Sequence, residues 1–300
     1  MLTNDEIERA AKAGTGLTLL HVLPSEIFEA KRIPGSKNAC VYETVFLSRV
    51  AEILPDKGAP LIVYGAGDGS HDAAVAQQKL RAAGYTDVGI LAGGLAAWEN
   101  EGRPLEGTGI LPAHPDFDGT FAIVPSASFV RWTGRNLFNH HSGTVAVRAG
   151  SISLENNALV AADFTIDLTT IVCEDIPDPA MNRMLVAHLE SDDFFDVPQH
   201  PLATFVATSV EAVPEASEGM PNFLITGRFT LRGVTRDLTF PILVAAAGPD
   251  TLTGQAVLDL DRTDFGSIYG SGRFFRFLGK HVVNDVVHLH VKITAKRAAC

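Results

Sequence analysis

The chain has 300 residues with 46% hydrophobic and 20% charged side chains, the balance of a soluble globular protein too long for one comfortable core. Its net charge of −11 divides into −4 over residues 1–110 (10 basic, 14 acidic) and −7 over residues 111–300 (14 basic, 21 acidic), so neither half offers the basic surface that nucleic acid demands. No stretch reaches the roughly 18 apolar residues of a transmembrane segment, and the acidic opening Met1-Leu2-Thr3-Asn4-Asp5-Glu6 lacks the basic-then-apolar pattern of an export signal. A cytoplasmic location is the expectation.

Short apolar runs first alternate with helical patterns: residues 17–23 then 25–31, 61–64 then 72–83, 88–91 then 95–101. Strands separated by helices in this way predict a parallel sheet with helices on its faces, an α/β unit. The second of these strands runs into the loop Gly65-Ala66-Gly67-Asp68-Gly69-Ser70. This loop lacks the Lys-Ser/Thr of a Walker motif and fails the Rossmann spacing; His71 after it either touches an anion or is simply solvated. Gly102-Arg103-Pro104-Leu105-Glu106-Gly107-Thr108-Gly109, followed by Pro112 and Pro115, has the content of a connector. Only Phe28 and Phe46 of the 17 phenylalanines precede it, which marks a change of core chemistry. The expected layout is a unit at 1–108, a linker at 109–116 and a second unit at 117–300.

Beyond the linker the apolar period becomes two. Phe223, Ile225, Gly227, Phe229 and Leu231 alternate with polar neighbours, as do Phe164, Ile166 and Leu168, then Leu252, Gly254, Ala256, Leu258 and Leu260, then Val287, Leu289, Val291, Ile293 and Ala295. Many antiparallel strands with one dry face need a second sheet or closure into a barrel, so this half is all-β. One helix interrupts it at 178–189, with Met181, Met184, Leu185, His188 and Leu189 on a single stripe and Pro179 in its first turn. The dry faces carry no paired carboxylates, nucleophile or metal-ligating set. Cys40, Cys173 and Cys300 are far apart and outside any CxxC, against a disulfide framework or a structural zinc site. His140 and His141 point to opposite faces of a strand, whereas His288 and His290 share a wet face, as a surface metal pair or as two solvated rings.

Arg32-Ile33-Pro34-Gly35-Ser36, the strand, loop and helix over 60–83, the turn Ala82-Ala83-Gly84-Tyr85, and Leu91-Ala92-Gly93-Gly94-Leu95-Ala96-Ala97-Trp98 together resemble a rhodanese domain over most of residues 14–106. The resemblance implies a sulfurtransferase fold whose loop cysteine carries a persulfide cradled by loop amides at a helix N-terminus. Here Gly65 stands at that position, the loop has no basic residue, Asp68 would repel an anionic sulfur donor, and His21-Val22-Leu23 replaces the family's Asp-x-Arg. A catalytically silent domain for docking, regulation or anion sensing follows, with a possible protein partner. Sulfur transfer through Cys40 is the alternative.

The segments Trp132-Thr133-Gly134-Arg135, Ser191-Asp192-Asp193-Phe194-Phe195-Asp196-Val197, Leu231-Arg232-Gly233-Val234-Thr235-Arg236 and Asp261-Arg262-Thr263-Asp264-Phe265-Gly266 closely resemble the YceI-like lipid-binding family over about residues 117–296. That implies an eight-stranded, lipocalin-like antiparallel barrel holding a polyisoprenoid, an isoprenoid quinone or a fatty-acyl derivative, with no other cofactor. Phe164, Ile166, Phe205, Phe229, Leu258 and Leu289 are the candidate lining residues, with Met181 and Met184 over one mouth. The segment from Tyr269 to Phe277 is either a flexible rim touching a head group through Tyr269 or Arg273, or a loop anchored by its phenylalanines. Periodicity does not separate a lined bore from a filled core, and a pure interaction module stays open.

Overall fold

Strand β3 (Leu61–Tyr64) is buried on both faces, and its alternate side chains enter two different cores. It sits in a parallel sheet with β1 (Thr18–His21), β2 (Lys37–Asn38) and β4 (Val88–Ile90), ordered β2-β1-β3-β4. Leu20, Leu61, Val63 and Val88 face one way, packing with Phe46 and Val50 of α3 (Phe46–Ile53) and Ala76 and Leu80 of α4 (Asp72–Ala82). Leu19, Ile62 and Tyr64 face the other way, toward Ile7 of α1 (Asn4–Ala13) and Leu95 and Trp98 of α5 (Gly94–Asn100). Burial of both faces is what a parallel sheet requires. The short α2 (Ser25–Ala30) follows β1. Helix α1 begins with a capping box: the Thr3 N–H donates to Glu6 Oε2 at 2.8 Å, and the Glu6 N–H donates to Thr3 Oγ1 at 3.4 Å.

The computed structural model describes residues 1–13, 16–111 and 117–298, and the chain divides into two units, 1–114 and 115–300. Pro112, Pro115 and Cys300 lie outside the described residues.

The second unit is a closed antiparallel barrel of eight strands, the first of them in two pieces. Pieces β5 (Gly119–Ile123) and β6 (Phe129–Arg135) are interrupted by a 3-10 turn at Pro125–Ala127. Then come β7 (His140–Glu155), β8 (Ala158–Cys173), β9 (Leu202–Ala212), β10 (Phe223–Leu231), β11 (Val234–Gly248), β12 (Thr251–Asp261) and β13 (Val286–Arg297). Each pairs with its sequence neighbours, and β13 also pairs with β5 and β6, which closes the ring and removes the exposed edges. Two-residue turns at Asn156-Asn157 and Arg232-Gly233, all four residues at positive φ, set the β7–β8 and β10–β11 registers. Helix α6 (Pro179–Glu190) bridges β8 and β9; its N-cap Asp178 accepts from the N–H groups of Ala180 and Met181 at 2.9 Å. Among the described residues no helix is long and apolar enough to cross a membrane.

Candidate functional site

The barrel is filled over one half of its length and hollow over the other. At the closed end Phe164 stacks on Phe205 with ring centroids 5.9 Å apart, and Phe205 meets Phe240 at 5.3 Å. Gly227 makes room for this floor, because a Cβ there would overlap the Phe205 ring. Above the floor a cavity of about 320 Å³ opens, at the lower end of the roughly 300–1,000 Å³ of small-molecule sites. Its walls come from inward residues of β6–β10, β12 and β13, among them Val130, Ile166, Leu168, Ala203, Phe229 and Leu289.

Ile166, Phe229, Tyr269 and Leu289 therefore line the cavity, whereas Phe164 and Phe205 belong to the packed floor and Leu258, paired across from Leu289, packs against the core without lining the cavity. Met181 and Met184 do not line it at all: they are 56% and 67% exposed, and α6 reaches the cavity instead through Leu185, His188 and Leu189. The helix lies across the opening, so only one edge of its apolar stripe turns inward. Tyr269 packs edge-on against His188 at 4.7 Å and tilts over Phe194 at 5.4 Å. Arg273 is engaged elsewhere, with Asp261 at 2.7 Å and Asp285 at 4.0 Å, and the phenylalanines of its segment face outward rather than anchoring it.

Polar groups gather at the mouth, where Arg135, Asn136, His141, Lys280, His281 and Asn284 border the cavity. His141 Nδ1 lies 2.9 Å from Asp175 Oδ2. Burial works against the charged form of Asp175, but the Ser142 N–H and His141 outweigh it and hold the carboxyl down at about 2. Deeper in, the Trp132 indole Nε1 has no hydrogen-bond partner, although the ring lines the cavity. Arg262, only 1% exposed, donates to the carbonyls of Ser267, Val283 and Asn284 and so pins the segment that forms this side of the mouth. His288 pairs with Asp259 at 2.5 Å, and among the described residues no group of three or more His, Cys, Asp or Glu is placed to hold a metal ion.

In the first unit the loop Gly65 to Ser70 is occupied from within. Asp72, 4% exposed at the start of α4, accepts from the Ala66 N–H at 2.9 Å and the Ser70 hydroxyl at 2.7 Å through Oδ2, and from the Ala73 N–H at 2.6 Å through Oδ1. Any side chain at Gly65 would overlap this carboxylate. The loop amide and helix end that would cradle an anionic sulfur are satisfied by the chain's own carboxylate. Asp72 was not singled out from sequence; its place two residues past the loop, at a helix start, was the available signal. Asp68 is exposed, as is His71. Cys40, 3% exposed, is buried after edge strand β2. His21, fully buried between Phe28 and Tyr64, has its pKa pushed down by burial to about 4, and its Nε2 has no partner.

A closed eight-stranded barrel with a dry half-bore and a polar mouth, preceded by an α/β unit of rhodanese type with no cysteine in its loop, defines the class of protein. Residues 121–295 match the model of the YceI-like domain and residues 3–101 that of the rhodanese-like domain. The chain belongs to the YceI-like family and carries a rhodanese-like domain ahead of the barrel. A UPF0312 protein of Pseudomonas putida strain W619 is 37% identical over 174 residues, covering 55% of this chain and 85% of that protein. Among solved structures, BcnA of Burkholderia cenocepacia is similar at 23% identity and a TM-score of 0.45, over 58% of this chain and 99% of its own. A polyisoprenoid-binding domain from Saccharophagus degradans is similar at 14% identity and 0.43, over 59% and 98%.

Proposed function

We propose that the barrel holds a long-chain amphiphile noncovalently, a polyisoprenoid, an isoprenoid quinone or a fatty-acyl derivative, and that the rhodanese-like unit is a docking or regulatory module that transfers no sulfur. The observation that carries the first part is the division of the bore: apolar walls from Val130 to Leu289 above a phenylalanine floor, opening on a polar mouth. Apolar burial at about 25 cal/mol per Å² supplies affinity for a tail without any directed contact. A head group then rests against Arg135, His141 and Lys280, and an acceptor close to the tail meets the unpaired Trp132 N–H. Phe229, Ile166, Leu289 and Tyr269 are the contacts we assign to the ligand. For the second part, the support is the Asp72 carboxylate filling the loop under Gly65.

Titration with palmitate, ubiquinone and a polyprenol, followed by Trp132 fluorescence in a Trp98→Phe background, tests the container. One of these should saturate at one per chain and be weakened about tenfold or more when Ile166→Arg places a charge in the dry wall. No spectral response to any of the three overturns it.

A further inference from the structure

Resting on the reading of the barrel as a lipid container, we infer that the rim of its mouth is a membrane-docking surface, built to set the cavity opening against a bilayer with anionic head groups. The rim is made of two segments tied together by hydrogen bonds. The tip of the β6–β7 hairpin bridges from Asn136 to Val283, and the Asn284 N–H donates to the Arg135 carbonyl at 2.9 Å. Both segments also border the cavity.

Both present large apolar side chains to water. Leu137 and Phe138 on the hairpin are 61% and 74% exposed, and Phe274, Phe275 and Phe277 on the other segment are 52%, 43% and 103% exposed. Five such residues beside one opening exceed what scattered surface apolar residues explain. The phenylalanines do not hang from a loose loop: the N–H groups of Phe274 and Phe275 donate to the carbonyl of the fully buried Ser271, and Arg262 holds Ser267, Val283 and Asn284. Phe277 adopts a φ of 62°, the left-handed region that disfavours a side chain, and the fold spends that strain on a residue it leaves wholly in water.

Charge selects the occupant. Residues 119–154 and 265–284 contain no Asp or Glu, in a half of the chain where acidic residues outnumber basic ones. Two cations here are already engaged, Arg131 with Glu174 and Arg273 with Asp261, and the His141 ring is held by Asp175. Arg135, Arg276 and Lys280 are exposed and, among the described residues, in no ion pair, so positive charge stands among the exposed aromatics. Basic residues interleaved with aromatics are the composition of an interfacial anchor, in which rings enter the acyl boundary while cations meet head groups. An apolar tail entering the cavity at this rim would leave the bilayer without crossing water.

The test is co-sedimentation of the full chain with vesicles of equal parts phosphatidylcholine and phosphatidylglycerol, and with phosphatidylcholine alone. Cavity filling is read separately from cis-parinaric acid fluorescence in the absence of vesicles. The wild type should bind the anionic vesicles, less so as salt rises. Phe138→Ser/Phe277→Ser should weaken this about tenfold or more and Arg276→Gln about fivefold, each while taking up the fatty acid as before. Wild type that takes up the fatty acid but ignores both vesicles overturns the docking surface and leaves the container standing. Vesicle binding without fatty-acid uptake does the reverse, and variants that sediment like wild type overturn the assignment of these residues. Concentration-dependent dimers by analytical ultracentrifugation that Phe277→Ser abolishes would make the rim a self-association face instead.

Discussion

Asp72 explains why the first unit is more than a sulfurtransferase with one atom missing. Its carboxylate takes the loop hydrogen bonds and fills the space beside Gly65. Gly65→Cys alone is therefore expected to destabilise the first unit and to show no thiosulfate-to-cyanide transfer. Adding Asp72→Ala should recover about 1–3 kcal/mol relative to the sum of the single changes, measured as the coupling in a urea double-mutant cycle. Simple additivity would mean that the carboxylate is not in the way. His21 gives a pH signature. Its folded pKa, about 4, lies below the ordinary value of 6.5, so the unfolded chain binds the extra proton between those values. Stability is then full above about pH 6.5 and falls as the pH drops toward 4, by on the order of 3 kcal/mol. NMR titration of the ring and denaturation of His21→Phe, which should flatten this slope, check it. The Gly65 substitution and the altered polar pair were plain in the sequence, but that a carboxylate two residues beyond the loop folds back under it depends on the path of the turn.

The period of two identified the dry face of the strands, but not which dry residues touch a ligand. Phe164 and Ile166 are neighbours on one face of β8; the first belongs to the floor and the second to the wall, because Phe164 pairs with and stacks on Phe205 whereas Ile166 stands opposite the small Ala203, which also lines the cavity. That height is set by register and by the space Gly227 leaves, neither of which periodicity encodes. Met181 and Met184 follow the same logic: the spacing shows a helical stripe, yet only packing shows which edge of it turns inward. Thr3 and Glu6, by contrast, form a capping box whose Thr-x-x-Glu spacing is legible in the sequence alone. Phe205→Ala should cost about 3–5 kcal/mol and join the cavity to the space below, shifting the preferred ligand toward longer chains; unfolding and competition between fatty acids of different length measure both effects. Unchanged length preference would show that the floor does not limit the tail. Arg262→Met removes a buried guanidinium that donates to three backbone carbonyls and should cost about 2–4 kcal/mol, with faster amide exchange concentrated in residues 266–284. Uniform exchange across the barrel would refute its role as the pin of the rim.

At the scale of the whole chain, the barrel core and the two cores flanking the parallel sheet share no residue. Each unit is expected to fold alone, so fragments 1–111 and 117–300 should each give dispersed amide spectra and a cooperative melt. Phenylalanine use and apolar period both change along the sequence, since each unit builds a different kind of core. What joins their roles is the lipid assigned to the barrel, and native mass spectrometry of the purified full chain with extraction of whatever is bound addresses it most directly. The expected spectrum is the chain plus one long-chain molecule, recovered in the organic extract and displaced by excess palmitate or polyprenol. A bare chain that stays bare after incubation with palmitate, ubiquinone and polyprenol would contradict it.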